Sequence, residues 1–267
     1  MVDILKKITD RTLVDLTKRK KETTLSVLRE MPHYSRHALS LVTALKNGSG
    51  IIAEHKRQSP SKGSFENLNS LASIVKGYEN AGASAISCLT DMPFFGGSLA
   101  DLVEVQRTVD IPVLRKDFMI DSYQIHEAKA YGADAILLIA ACLDDQQLAT
   151  FSSKAVELGL SVLFEVHERK ELDRVNIIAT SLPAATYAIG VNNRNLKEFK
   201  TDIQTSHELY HHIPADVVAV SESGIDDPAV ANELITTGFK GFLIGEYFMR
   251  QQSPGSACAT FIKELES

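Results

Sequence analysis

The stretch Gly132-Ala133-Asp134-Ala135-Ile136-Leu137-Leu138-Ile139 opens on a glycine and runs into five consecutive apolar residues without polar alternation. A strand buried on both faces of a parallel sheet looks like this, and a glycine just before it is a helix stop. The same unit recurs along the chain. Short apolar runs lie at Ile51–Ala53, Ala85–Leu89, Pro112–Leu114, Ser161–Val166, Tyr187–Asn192, Val217–Ser221 and Gly241–Ile244. Amphipathic stretches separate them, among them Leu71–Asn80, Leu99–Val109, Ser122–Tyr131, Gln146–Leu158 and Pro228–Thr237. Gly82, Gly159 and Gly238 repeat the helix stop of Gly132. Eight strands result, with ends near 56, 89, 116, 139, 165, 192, 221 and 244, which are 23 to 33 residues apart. One βα unit has that size, and eight in a row favour a (β/α)8 barrel over an open doubly wound sheet.

The 267 residues suit one such barrel. No linker or low-complexity tract interrupts them, so the expectation is a single domain over 1–267, with a barrel from 48 to 267 and an N-terminal helical extension over 1–47. Ile4, Leu5, Ile8, Val14 and Leu16 recur at roughly helical spacing. A second helix is expected over Ser35–Lys46, capped by Ser35 and stopped at Asn47-Gly48, and a last one near Cys258–Glu266. Lys18-Arg19-Lys20-Lys21 reads as a solvated charge run. His33 and His37 read as neighbours on a helix face and His211-His212 as a solvated helix end, none of them a metal site.

A net charge of −6 argues against a nucleic-acid-coating protein and leaves room for a local basic pocket. The charged start carries no signal-type apolar segment, and the longest apolar run, Ala135–Leu143, is far too short to span a bilayer. The three cysteines, Cys88, Cys142 and Cys258, are odd in number and widely spaced, which points to a reducing compartment. A cytoplasmic protein with no membrane or nucleic-acid partner is expected. There is no P-loop and no nucleophile elbow, and Gly48-Ser49-Gly50 precedes a strand rather than following one, so it is not a dinucleotide fingerprint.

In a barrel, the chemistry stands at the C-terminal strand ends. Those positions carry Glu54-His55-Lys56, Arg115-Lys116-Asp117, Glu165, Asn192-Asn193-Arg194, Ser221-Glu222-Ser223-Gly224 and Gly245-Glu246. Period two puts Glu54 and Lys56 on one face and turns His55 toward the helices. Charges at so many buried strand ends are costly without partners or a purpose. The Ser223-Gly224 and Gly245 turns, with a helix N-terminus behind them, match the common barrel phosphate site, and Ser59 can add a hydroxyl. The carboxylate of Glu246 departs from the simplest phosphate turn and must turn aside there. Three readings fit these residues: a lyase or isomerase of a sugar phosphate, a Schiff-base aldolase using Lys116 as nucleophile, and a non-catalytic anion-binding barrel. The carboxylates weigh against the last.

Several segments together resemble the indole-3-glycerol phosphate synthase family. They are Ile52 to Gly63 (IAEHKRQSPSKG), Leu89-Thr90-Asp91 with Phe94 to Ser98, Leu114 to Phe118 (LRKDF), Gly190 to Leu196 (GVNNRNL), and Ser221 to Ile225 (SESGI). His55 and Asn195 depart from the family's usual residues there. The resemblance implies ring closure of 1-(2-carboxyphenylamino)-1-deoxyribulose 5-phosphate to indole-3-glycerol phosphate, CO2 and water, with no metal or organic cofactor. It implies Lys116 as general acid, and Glu165 and Glu54 for proton transfer and charge stabilisation. Lys56 and Asn192, with Arg194, would clamp the substrate carboxylate, and Glu222 would orient Lys116 or substrate hydroxyls. Ser223 joins the catalytic set. Phe95, Phe118 and Leu137 would wall the aromatic ring, while Ser59, Gly224, Gly245 and Glu246 would hold the phosphate end. The extension over 1–47 is expected to pack over the top of the barrel, so that its removal leaves a folded barrel that binds substrate poorly.

Overall fold

The computed structural model describes residues 4–60, 63–65, 67–195 and 200–265. Ser61 and Lys62 of the first motif, Leu196 of the fourth, and Glu266 at the end of the expected last helix lie outside them. Eight parallel strands close into a barrel: β1 (Ile51–His55), β2 (Ala85–Leu89), β3 (Val113–Lys116), β4 (Ala135–Ile139), β5 (Ser161–Val166), β6 (Tyr187–Asn192), β7 (Val218–Glu222) and β8 (Gly241–Ile244). Each pairs with its sequence neighbours, and β1 closes the ring on β8 with Ile52 beside Leu243. This is the (β/α)8 barrel that the repeated unit predicts. Gly82, Gly132, Gly159 and Gly238 all take positive φ at helix ends, which an L side chain rarely tolerates.

Alternation along each strand divides the core in two. Ile52, Leu114, Leu137, Leu163, Ala188, Val220 and Leu243 fill the barrel interior. Ile51, Ile86, Val113, Ile136, Phe164 and Ile189 face the surrounding helices. Continuing the inward rows by two residues reaches Glu54, Lys116, Glu165 and Glu222, and by four, past Gly190, reaches Asn192, so the pleat itself delivers them to the mouth. His55 falls on the outward row and lines a separate surface pocket with Arg57 and Phe65. Burial and the Arg57 charge push its imidazole down to about 4. A two-residue hairpin, Gln58–Ser59 against Gly63–Ser64, follows β1 and has no counterpart in the sequence expectation.

The N-terminal segment differs from expectation in three ways. The second helix begins at Leu41 rather than Ser35, with Ser40 as its cap, and a short helix Leu25–Glu30 precedes it. Residues 31–40 are held out of helical geometry by tertiary bonds: Arg36 Nη2 donates to Asp134 Oδ1 at 2.6 Å and the Leu39 N–H to the same oxygen at 2.7 Å. His33 therefore lies in a turn and His37 in irregular backbone, not on a helix face. The basic run is not simply solvated either. Arg19 pairs with buried Glu127 at 2.9 Å and Lys20 with Asp121 at 2.5 Å.

The third difference concerns placement. Leu5 reaches the mouth, but the helix Leu41–Asn47 sits at the opposite end. Its Leu41, Val42 and Leu45 are buried under the barrel interior, Leu41 N–H donates to Ser161 Oγ at the start of β5, and Leu45 lies against Gly241 at the start of β8. The extension thus covers the mouth with its first helix and plugs the floor with its third. Deleting residues 1–47 would unplug the floor, so the folded truncated barrel expected from sequence is not what this packing supports.

Asp134 ties the two parts together, since its second oxygen accepts the Val113 N–H at 2.9 Å while the first holds Arg36 and Leu39. Asp134→Ala strips three donors of a charged acceptor and is expected to destabilise the fold by about 3 kcal/mol, read by urea unfolding. A change under about 0.5 kcal/mol would show that this latch contributes nothing.

Candidate active site

A cavity of about 560 Å³ opens at the C-terminal ends of the strands, within the range of small-molecule sites. Its walls carry Glu54, Lys56, Phe95, Lys116, Phe118, Leu137, Glu165, Asn192, Arg194, Glu222, Ser223, Gly224, Gly245 and Glu246. Every site residue expected from sequence is therefore gathered there except Ser59. Ser59 is buried in the hairpin after β1, and its Oγ has no hydrogen-bond partner among the described residues. Phe95 and Phe118 stand with ring centroids 6.1 Å apart and form one apolar wall with Leu137 and Leu5.

The centre is ionic. Lys116 Nζ lies 3.2 Å from Glu165 Oε2 and 3.4 Å from Glu222 Oε2. Burial alone would lower the ammonium, but Glu165, Glu222 and Glu54 together hold it well above the ordinary lysine range. The two flanking carboxyls are pushed apart. Burial works to raise both. At Glu165 it is overcome by Lys116, with His167 and Asn192 assisting, and the group stays well below the usual carboxylate range. At Glu222 burial wins, aided by the charges of Glu165 and Glu54, and its carboxyl rises to about 8. Among the described residues neither Glu222 oxygen has a well-aligned hydrogen-bond donor, the Lys116 ammonium at 3.4 Å being a charge contact. The two carboxyls beside Lys116 are thus biased in opposite directions, the arrangement that sites of proton transfer use.

Glu54 accepts from Ser87 Oγ at 3.1 Å and pairs with Lys56 Nζ at 3.2 Å. Two glycines make room for these side chains. A Cβ at Gly190 would meet Glu222 Oε1 at 2.3 Å, and one at Gly245 would meet Glu54 Oε1 at 2.7 Å. Gly190 was legible only as an isolated glycine in a strand, a sign of close approach. At the phosphate-type turn, Ser223 and Gly224 take φ of 67° and 76° in succession. A left-handed serine is sparsely populated and costs roughly 1 kcal/mol or more, the kind of backbone strain that clusters at functional sites. The Glu246 carboxylate is drawn aside by Arg250 at 2.6 Å and Arg194 at 3.3 Å, which answers the repulsion its charge would bring. Arg250 lines the cavity and stands beyond the strand ends that the sequence pattern surveys. Among the described residues no group of three or more His, Cys, Asp or Glu side chains is arranged to hold a metal ion.

A closed parallel barrel with acid, base and anion-binding groups converging on one mouth is a (β/α)8-barrel enzyme site. Sequence comparison narrows this. A model of the family described as indole-3-glycerol phosphate synthase matches residues 5–264. Proteins named indole-3-glycerol phosphate synthase are similar along nearly their full length. That of Bacteroides thetaiotaomicron is 44% identical over 267 residues and covers all of both chains. That of Azospirillum brasilense is 41% identical over 262 residues, covering 96% of this chain and 98% of its own. That of Salinibacter ruber is 43% identical over 259 residues, covering 96% and 94%. The chain belongs to the indole-3-glycerol phosphate synthase family. Among solved structures, thiamine phosphate pyrophosphorylase from Pyrococcus furiosus superposes with a TM-score of 0.59 at 14% identity, over 85% of this chain and 98% of that one, a likeness of fold alone.

The raised carboxyl of Glu222 has a linkage consequence. The folded state binds this proton more tightly than the unfolded chain, so the stability it brings is present below the ordinary carboxylate range and is lost as pH rises through about 8. Glu222→Gln removes that dependence. Its melting temperature relative to the parent is expected to rise between about pH 5.5 and about pH 8.5, measured by circular dichroism. A difference independent of pH would mean that Glu222 titrates as an ordinary carboxyl.

Proposed function

We propose that this chain closes the indole ring of indole-3-glycerol phosphate from 1-(2-carboxyphenylamino)-1-deoxyribulose 5-phosphate, releasing CO2 and water, and that the barrel and its N-terminal helices act as one unit in the cytoplasm. The observation that carries the assignment of roles is the Lys116 ammonium, 3.2 Å from Glu165 and 3.4 Å from Glu222 in a cavity that also has an apolar aromatic wall.

The reaction makes a carbon–carbon bond between the ring carbon bearing the carboxylate and the ketone carbon. The ketone oxygen must gain a proton as that bond forms. Lys116 remains charged at neutral pH and serves as the donor. Lys56, together with Asn192 and Arg194 on the wall of the same cavity, holds the substrate carboxylate until it leaves as CO2. The hydroxyl formed from the ketone then departs as water, which needs a proton and leaves iminium charge behind. Glu165 and Glu54 stabilise that charge and accept the ring proton. Glu222, whose carboxyl burial raises, lies beside Lys116 and donates toward the substrate hydroxyls, and Ser223 lines the same cavity. Phe95, Phe118 and Leu137 take the aromatic ring, and Gly224, Gly245 and the turn before Glu246 receive the phosphate. Ser59 adds its hydroxyl, and its unpaired buried Oγ supports that role.

The Schiff-base alternative requires a neutral lysine amine. Three carboxyls that favour the ammonium at Lys116 work against it. A purely binding barrel has no use for an acid and a base held on either side of one lysine.

Conversion of the carboxyphenylamino sugar phosphate to a fluorescent indole tests the activity directly, and the chain contains no Trp to obscure it. Lys116→Met keeps length and packing without the proton and is expected to lower kcat by roughly 10²–10⁴-fold in a folded protein. Near-normal turnover would remove Lys116 from the chemistry. Ser59→Ala should raise KM with little change in kcat, and inorganic phosphate should compete with substrate; a loss confined to kcat would place Ser59 in the chemical steps.

A further inference from the structure

His167 continues the inward row of β5 two residues past Glu165 and stands largely buried behind it. Its two ring nitrogens each face a carboxylate. Nε2 lies 3.2 Å from Glu165 Oε1, a charge contact outside hydrogen-bond alignment, and Nδ1 lies 3.3 Å from Glu171 Oε2. Glu171 sits in the first turn of the helix Arg169–Ala179, and the same oxygen accepts the His167 backbone N–H at 2.7 Å, which fixes its position. A neutral imidazole has one donor and one lone pair, so it would turn the lone pair toward one of these carboxylates. Only the imidazolium suits both. Glu171, His167, Glu165, Lys116 and Glu222 then form one line of alternating groups running from the helix into the cavity.

We propose that His167 is a positioning residue for the ring-closing reaction: as an imidazolium clamped by Glu171, it fixes the Glu165 carboxylate and makes Glu165, not Glu222, the ionised carboxyl beside Lys116. The inference rests on the role of Glu165 given above. Glu165 and Glu222 lie at nearly the same distance from one ammonium, 3.2 Å and 3.4 Å, and that ammonium alone does little to decide which of them keeps its charge. A second cation behind Glu165 breaks the tie. The groups that act on the imidazole are Glu165 on its own strand and Glu171 on the following helix. Burial would lower His167, but these two carboxylates raise it to about 10. Glu165 has in turn Lys116 from β3 and Asn192 from β6 opposite the imidazole.

The test combines two readouts. In the unaltered protein, 15N spectra of labelled histidine, assigned by comparison with His167→Asn, should show the His167 ring as imidazolium at about pH 8, where an ordinary histidine is neutral. A ring that titrates near 6.5 overturns the proposal. In kinetics, His167→Asn keeps a polar side chain and removes the charge. It should lower kcat about 10- to 100-fold, leave KM within about threefold, and move the acid limb of kcat/KM upward by about one pH unit, because Glu165 then holds its proton more tightly. Glu171→Gln should move that limb the same way by less. Unchanged kcat and an unmoved acid limb in folded variants would reduce His167 to a helix-end packing residue. Glu165→Gln separates the two claims. If it too retains full activity, the role of Glu165 has failed; if it alone loses activity, only the role of His167 has.

Discussion

At the barrel mouth an ammonium and three carboxyls share a space that burial makes expensive for each of them. Lys116 Nζ, 3.2 Å from Glu165 and 3.4 Å from Glu222, is what allows the carboxyls to be there. Isolated buried charges would cost several kcal/mol apiece, and their mutual attraction offsets this only if the geometry is held. The holding comes from the sheet. Closed parallel pairing fixes where each strand ends, and the pleat fixes which residues face inward. Glycines at 190 and 245 leave the space that the Glu222 and Glu54 side chains occupy. The fold and the chemistry are therefore one constraint seen at two scales.

A second ionic network occupies the outward row and has a different purpose. Arg115 is fully buried between β3 and its helix, where it meets Asp117 and Glu127 at 2.8 Å each and Thr90 Oγ1 at 3.0 Å. Arg19 of the first helix binds the same Glu127. Lys116 is the next residue along. Adjacent positions on a single strand thus carry a cation bound among the helices and one that faces the cavity, which the letters Arg115-Lys116 alone do not distinguish.

Much of this architecture was legible because it rests on periodicity. Apolar runs of parallel-strand type, closed by glycine stops, gave eight strands within a residue or two of their observed bounds, and period two separated Glu54 and Lys56 from His55. Residues 35–40 were misread as helix because their conformation depends on Asp134, nearly a hundred positions away, and a local pattern carries no trace of such a bond. Arg250 and His167 escaped for a related reason. They stand past the strand ends, and their meaning lies in Glu246 and Glu165, partners that only the folded chain brings near. Ser59 is the converse case, singled out by its motif yet set back from the cavity wall.

The N-terminal segment spans the barrel from mouth to floor, and this has a bearing on how the chain comes together. A ribosome makes this segment first, yet its anchors are made late. Arg19 waits for Glu127, Arg36 for Asp134, and Leu41 for Ser161, 120 residues further on. Until the fifth strand has emerged, Leu41, Val42 and Leu45 have no floor to seal, and an apolar helix stays open to solvent or to other nascent chains. Contacts of such long sequence separation slow folding, because the intervening loop must close before any of them forms. The segment that finishes the enzyme in space is also the one that its synthesis leaves exposed the longest.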